Sequence, residues 1–262
     1  MKQATLICMI ALAGGCLTEE DNLSDTQDAL TASNKLSANK LSANKLSANK
    51  LSANKLSANS LEVQGLMATA TGRDVMSYIV GCAMPTGQSL TLLDATTGIQ
   101  YTYPGWMGLA PGWATRVPTV SERHWVTACL LARTNVYGIP VSISMRHDSN
   151  LALVTTAAER ATYTQAEGAF YGDLFATVPV TYACSNRAWT NVAVGSFRAC
   201  ALSPDGITTD CGFKYTGSCA NAVTCPDTTA PFSNCKAVGD ATSYTETVTI
   251  FLTPTQQSGS TQ

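Results

Sequence analysis

Thr71-Gly-Arg-Asp-Val-Met-Ser-Tyr-Ile-Val-Gly-Cys-Ala-Met-Pro85 is the stretch from which the fold can be read. Thr71 followed three residues later by Asp74 has the chemistry of a capping box, with a shorter carboxylate than the usual glutamate. Val75, Met76, Tyr78, Ile79 and Cys82 then recur at helical spacing, which predicts a helix over 72–83, ended by Pro85. The same grammar returns at Thr119-Val-Ser-Glu122, which caps a second helix running to about Arg133, with Trp125, Cys129 and Ala132 on one face. Each helix therefore carries a cysteine on its apolar side, and the sequence predicts a Cys82–Cys129 bridge pinning the two together.

Between these helices, Ser89–Leu93 and Ile99–Tyr103 flank Thr97-Gly98 and read as a hairpin. A loop rich in Gly, Pro and Trp follows from Pro104 to Pro118. Beyond the second helix, Val141–Met145 and Leu151–Thr155 lie on either side of the turn cluster Arg146-His-Asp-Ser-Asn150 and predict a second hairpin. Gln165-Ala-Glu-Gly-Ala-Phe-Tyr-Gly-Asp-Leu-Phe175 sets aromatics between glycines, as a glycine-permitted turn that sends Phe170 and Phe175 into the core would do. Short strands are expected around Thr181–Cys184, Phe197–Leu202, Gly212–Tyr215 and Thr245–Thr253. The expected class is α+β: two helices on a mainly antiparallel sheet, with a disulfide-rich C-terminal part. One globular domain is expected over 66–254, followed by a polar tail, 255–262.

Cys82, Cys129, Cys184, Cys200, Cys211, Cys219, Cys225 and Cys235 make an even set in this domain. Four disulfides are the expected use, since the spacings are wide and zinc knuckles, with their close cysteine pairs and histidines, are not evident; His124 and His147 are the chain's two histidines. Eight cysteines allow 105 pairings, which sequence alone does not resolve. From Glu62 onward ten basic residues stand against thirteen acidic ones with no basic stripe, which argues against a nucleic-acid partner.

The N-terminal quarter is of another kind. Lys2, an apolar run from Ala4 to Ala13 and a small-residue patch have the layout of a signal peptide, 1–15, too short to span a bilayer. With Cys16 directly after Ala13-Gly-Gly, this leader resembles a bacterial lipoprotein signal, in which the cysteine is diacylglycerylated and the cut is made just before it. Ordinary cleavage after Ala11-Leu12-Ala13 is the alternative. Two or three acyl chains, at about 0.8 kcal/mol per buried methylene, would hold the chain on a membrane, with Leu17 in the next position favouring the outer one. Residues 16–61 then form a lipidated polar spacer and a tether, in which Asn-Lys-Leu-Ser-Ala runs five times from Asn34. A five-residue step makes no apolar stripe on a helix or a strand. The segment shares period and composition with pentapeptide-repeat solenoids but not their residue order, so a flexible or partly helical tether is expected.

Catalytic motifs for serine hydrolases, zinc peptidases, nucleotide phosphates and dinucleotides are absent from the sequence. The residues with chemical potential are few. Glu167 and Asp173 flank a glycine-aromatic tract, the minimum equipment of a glycosidase; Arg146 and His147 share a turn, and Ser142 or Ser144 with His147 and Asp173 would be a nominal triad. His147 in that turn reads as a solvated imidazole. Trp106 and Trp113 would suit a sugar-stacking platform, or would cap the sheet. Ser203-Pro-Asp205-Gly206 and Asp210 would suit calcium no better than a turn. No cofactor and no metal are expected.

The stretches 72–85, 108–113 (Gly-Leu-Ala-Pro-Gly-Trp), 125–135 (Trp-Val-Thr-Ala-Cys-Leu-Leu-Ala-Arg-Thr-Asn), 167–175 and 211–219 (Cys-Gly-Phe-Lys-Tyr-Thr-Gly-Ser-Cys) together resemble an uncharacterised family of exported myxobacterial lipoproteins. The resemblance implies a place in the cell envelope and no particular activity. The expectation from sequence is thus a lipid-anchored envelope protein whose domain binds an envelope or extracellular partner without turning it over. The alternative is an exported hydrolase, with polysaccharide as its candidate substrate.

Overall fold

In a computed structural model, the residues described are 31–33, 36–37, 61–135, 142–186, 207, 211–237 and 239–255. The fold is α+β, a mixed sheet covered on one side by helices and on the other by disulfide-bonded loops. The leader, Cys16, most of the repeat, Cys200, the expected strand at Phe197–Leu202 and the Asp205/Asp210 pair lie outside the described residues.

The described chain opens with β1 (Thr31–Ser33) and β2 (Leu36–Ser37), then α1 (Leu61–Met67) and α2 (Ala70–Ala83). The sequence gives no sign of α1, whose Val63, Leu66 and Met67 are buried in the main core. Its presence moves the cap of α2: Thr69, not Thr71, accepts the Gly72 N–H at 3.0 Å. The reason is a close approach. A Cβ at Gly72 would stand 2.1 Å from the Leu66 carbonyl oxygen, so glycine there lets α1 fold back on the first turn of α2. Beyond Ala83 the backbone turns extended at Met84, as a residue before proline prefers.

The hairpin forms as read, β3 (Ser89–Asp94) against β4 (Ile99–Pro104), with Gly98 at φ +73° in its turn. Asp94 organises that turn, accepting from the Thr96 N–H and the Thr97 hydroxyl at 2.9 Å each, and Arg73 of α2 reaches it at 3.2 Å. The Gly/Pro/Trp loop is not slack. The Met107, Leu109 and Ala110 N–H groups donate to the carbonyls of Gly81, Cys82 and Ala83, satisfying the end of α2.

The second helix, α3 (Val120–Ala132), has the expected capping box: Thr119 Oγ1 accepts the Glu122 N–H, and Glu122 accepts the Thr119 N–H at 2.8 Å. Arg116 clamps the same glutamate with two contacts of 2.6 Å. Cys82 and Cys129 are bridged as expected, with Cα atoms 6.1 Å apart.

After β5 (Thr134–Asn135), which pairs with β2, come β6 (Ser142–Arg146), a 3₁₀ turn over Leu151–Leu153, α4 (Ala157–Thr162), β7 (Gln165–Asp173), β8 (Val180–Ser185), β9 (Lys214–Ser218) and β10 (Val248–Leu252). The large sheet runs β1-β6-β10-β7-β8-β9, antiparallel throughout except for the parallel β8–β9 pair. Two expectations are corrected here. The hairpin between 141–145 and 151–155 does not form: β6 pairs with β1 and β10, and Asn150 caps a 3₁₀ turn by accepting the Ala152 N–H. Of that apolar run Leu153 is buried and Leu151 is 90% exposed, too little burial to hold a strand.

The tract 165–175 is not a turn but a strand, central in the sheet. Its glycines serve close approach. A Cβ at Gly168 would meet the Cys184 carbonyl oxygen at 2.3 Å, and one at Gly172 would meet that of Val180 at the same distance. Phe170 and Phe175 are nonetheless buried in the main core, as expected. That core lies between α1–α3, the hairpin and one face of the sheet, whereas Ala169, Tyr171, Tyr182 and Cys184 face a second one. Cys219, Cys225, Phe232, Cys235 and Tyr244 from the C-terminal loops close it.

Candidate functional site

The polar residues singled out in the sequence do not converge. Glu167 sits where the β7–β10 register slips by one residue, and Asp173 ends the same strand six residues on. At a strand rise of roughly 3.3 Å per residue their backbones are about 20 Å apart, beyond the separation of any glycosidase carboxylate pair.

Arg146 is buried and works as a tie. Its Nε donates to Ser144 Oγ at 2.8 Å and an Nη to the Tyr163 carbonyl at 2.6 Å, with the guanidinium 3.9 Å from the centroid of Phe251. Burial lowers its pKa, an effect that Glu159 nearby opposes. His147 is not the solvated imidazole expected of a turn, for it is 5% exposed and packs edge-on against Trp125, 4.8 Å between ring centres. The Ser149 N–H donates to its Nδ1 at 3.2 Å and its Nε2 lies 3.1 Å from the Thr245 carbonyl. A backbone N–H only donates and a carbonyl only accepts, so the ring is neutral with its proton on Nε2. Burial pushes its pKa down. With Ser144 given to Arg146 and both ring nitrogens of His147 in use, the nominal triad is not assembled.

The tryptophans are also engaged. Trp113 is buried, edge-on to Phe175 at 4.9 Å, and so offers no platform. Trp106 is half-buried and its ring carries Arg133, which also lies over Tyr78, at 5.1 and 4.6 Å. Burial between those rings pulls the arginine down to about 10.

What the fold does assemble is a charged cluster on the first turns of α3. Asp173, brought there by the end of β7, meets Arg123 at 3.1 Å and His124 Nε2 at 3.7 Å, while its other oxygen accepts the Phe175 N–H at 2.9 Å. On the far side of the imidazole, Nδ1 lies 3.2 Å from Glu246, just before β10, and Tyr244 stands edge-on at 5.0 Å. Burial alone would raise the Glu246 pKa, but hydrogen bonds from His124 and Ser121 outweigh it and hold the carboxyl below its usual range. Ser121 thus serves Glu246. The geometry ties helix, sheet and C-terminal loop through polar contacts. Asp173 was singled out in the sequence; its partners were not, because 49 and 122 residues separate His124 from Asp173 and Glu246, and no local spacing announces such a contact.

Below the sheet, Cys184–Cys219 and Cys225–Cys235 are disulfides, and Cys211, in the main core, is disulfide-bonded as well, as expected of an oxidised domain. No family model, curated protein or solved structure matches the chain.

Proposed function

We propose that this chain is an exported envelope protein, anchored by lipid at Cys16, whose disulfide-stapled domain binds an envelope or extracellular partner without turning it over. The observation that carries the reading is the set of bridges, Cys82–Cys129, Cys184–Cys219 and Cys225–Cys235, in a domain whose core is otherwise ample. Such bonds persist outside the reducing cytoplasm. The leader and the residues around Cys16 supply the address, and the outer membrane is the favoured side. A binding role is further supported by three of the four candidate catalytic groups, which are held in structural contacts: Arg146 by Ser144 and Tyr163, His147 by Ser149 and Thr245, Asp173 by Arg123.

The test is fractionation of cells expressing the chain and its Cys16→Ser variant. Wild type should sediment with membranes and carry acyl chains on a chain beginning at Cys16, and the variant should carry none and keep its leader, its bridges intact. Wild-type chain in the cytosol with alkylatable thiols would overturn the reading.

A further inference from the structure

Among the described residues, the densest set of reactive side chains away from α3 is sulfur. The bridges Cys184–Cys219 and Cys225–Cys235 lie against each other in the second core, with Cys184 Sγ 3.7 Å from Cys225 Sγ. The sulfurs of Cys184, Cys219 and Cys225 are all within 4.8 Å of one another, and Cys235, outside that group, is one S–S bond away from Cys225. All four are fully buried, and Tyr171, Tyr182, Phe232 and Tyr244 belong to the same core.

Two chemistries use neighbouring bridges. Exchange of partners needs a sulfur in line with the bond it attacks. With the contact at 3.7 Å, an in-line Cys225 would stand about 5.7 Å from Cys219, the sum of that contact and an ordinary S–S bond. It lies within 4.8 Å, beside the bond and not behind it, so attack of Cys225 on the Cys184–Cys219 bond is out of line. A tetrahedral thiolate site is the other use. Zinc–sulfur bonds of about 2.3 Å put neighbouring sulfurs about 3.8 Å apart, which the Cys184–Cys225 contact already matches.

We propose that, when its two bridges are reduced, this cluster becomes a four-thiolate site for zinc or a comparably soft divalent ion. The loop layer is then held either by two disulfides or by one metal ion. Each bridge takes two electrons and two protons from a dithiol, which leaves as its own disulfide; metal binding then expels the four thiol protons. Opening a bridge lengthens its S–S separation to a tetrahedral edge. The loop between Cys225 and Cys235, exposed over Pro226–Thr229, is placed to give.

The experiment uses the full chain, reduced without air by a dithiol, freed of reductant and titrated with Co²⁺ and then Zn²⁺. The expected result is a thiolate-to-cobalt charge-transfer band that is removed by zinc, with recovery of the near-ultraviolet circular dichroism of the tyrosines. Cys184→Ser and Cys235→Ser should each weaken binding tenfold or more, whereas the double variant Cys82→Ala/Cys129→Ala should leave the titration unchanged. No charge-transfer band, a band indifferent to Cys184→Ser, or metal bound without recovery of the tyrosine signal would each overturn the proposal. The outcome does not depend on where the cell places the chain.

Discussion

Thr119 holds one end of α3 through a side chain that accepts the Glu122 N–H. Its replacement by alanine should lower stability by about 1 kcal/mol, read as a shifted urea midpoint at unchanged slope. The buried imidazole of His147 makes a second prediction at this scale. Its pKa is lower folded than unfolded, so the folded state resists its protonation. The contribution is full above about pH 6.5, the unfolded value, and is lost as pH falls through the folded one. Glu246, also depressed, adds a loss of the same sign below the ordinary glutamate range. The urea midpoint should therefore fall between pH 7 and pH 5, and His147→Gln should flatten that limb; an unchanged limb would contradict this account. Thr119 was legible because a cap acts over three residues. The neutral state of His147 was not, because the Thr245 carbonyl that orders it lies 98 residues away.

At the scale of elements, the Cys82–Cys129 bridge closes a separation of 47 residues between two helices. Replacing both cysteines by alanine should cost about 2–5 kcal/mol in thermal or denaturant unfolding while leaving the far-ultraviolet spectrum helical. This bridge was readable, since each helix declares its apolar face by period and each face carries one cysteine. The strand β7 was not. Gly168 and Gly172 imitate turn punctuation, yet what they supply is room for the carbonyls of Cys184 and Val180. Gly168→Ala should accordingly destabilise by about 1–3 kcal/mol through overpacking. A neutral result would show that β7 and β8 are not so close. The missed α1 and the false hairpin at 151–155 have one cause: short apolar runs do not say which of their residues will be buried.

For the whole molecule, the sheet order β1-β6-β10-β7-β8-β9 brings the last strand between two strands that lie far earlier in the chain, with Ile250 opposite both Met145 and Gly168. No local pattern encodes that insertion, so the class was legible and the topology was not. The insertion is also what carries Glu246 and Tyr244 to His124, joining the helix layer to the disulfide layer through Arg123 and Asp173. The central claim is a domain folded in an oxidising place and stapled on both sides of its sheet. Peptide mapping of the unreduced chain, isolated from its own cells, tests it most directly. The account predicts Cys82–Cys129, Cys184–Cys219 and Cys225–Cys235 as linked pairs. Finding Cys82 and Cys129 paired elsewhere, or these cysteines freely alkylated, would contradict it.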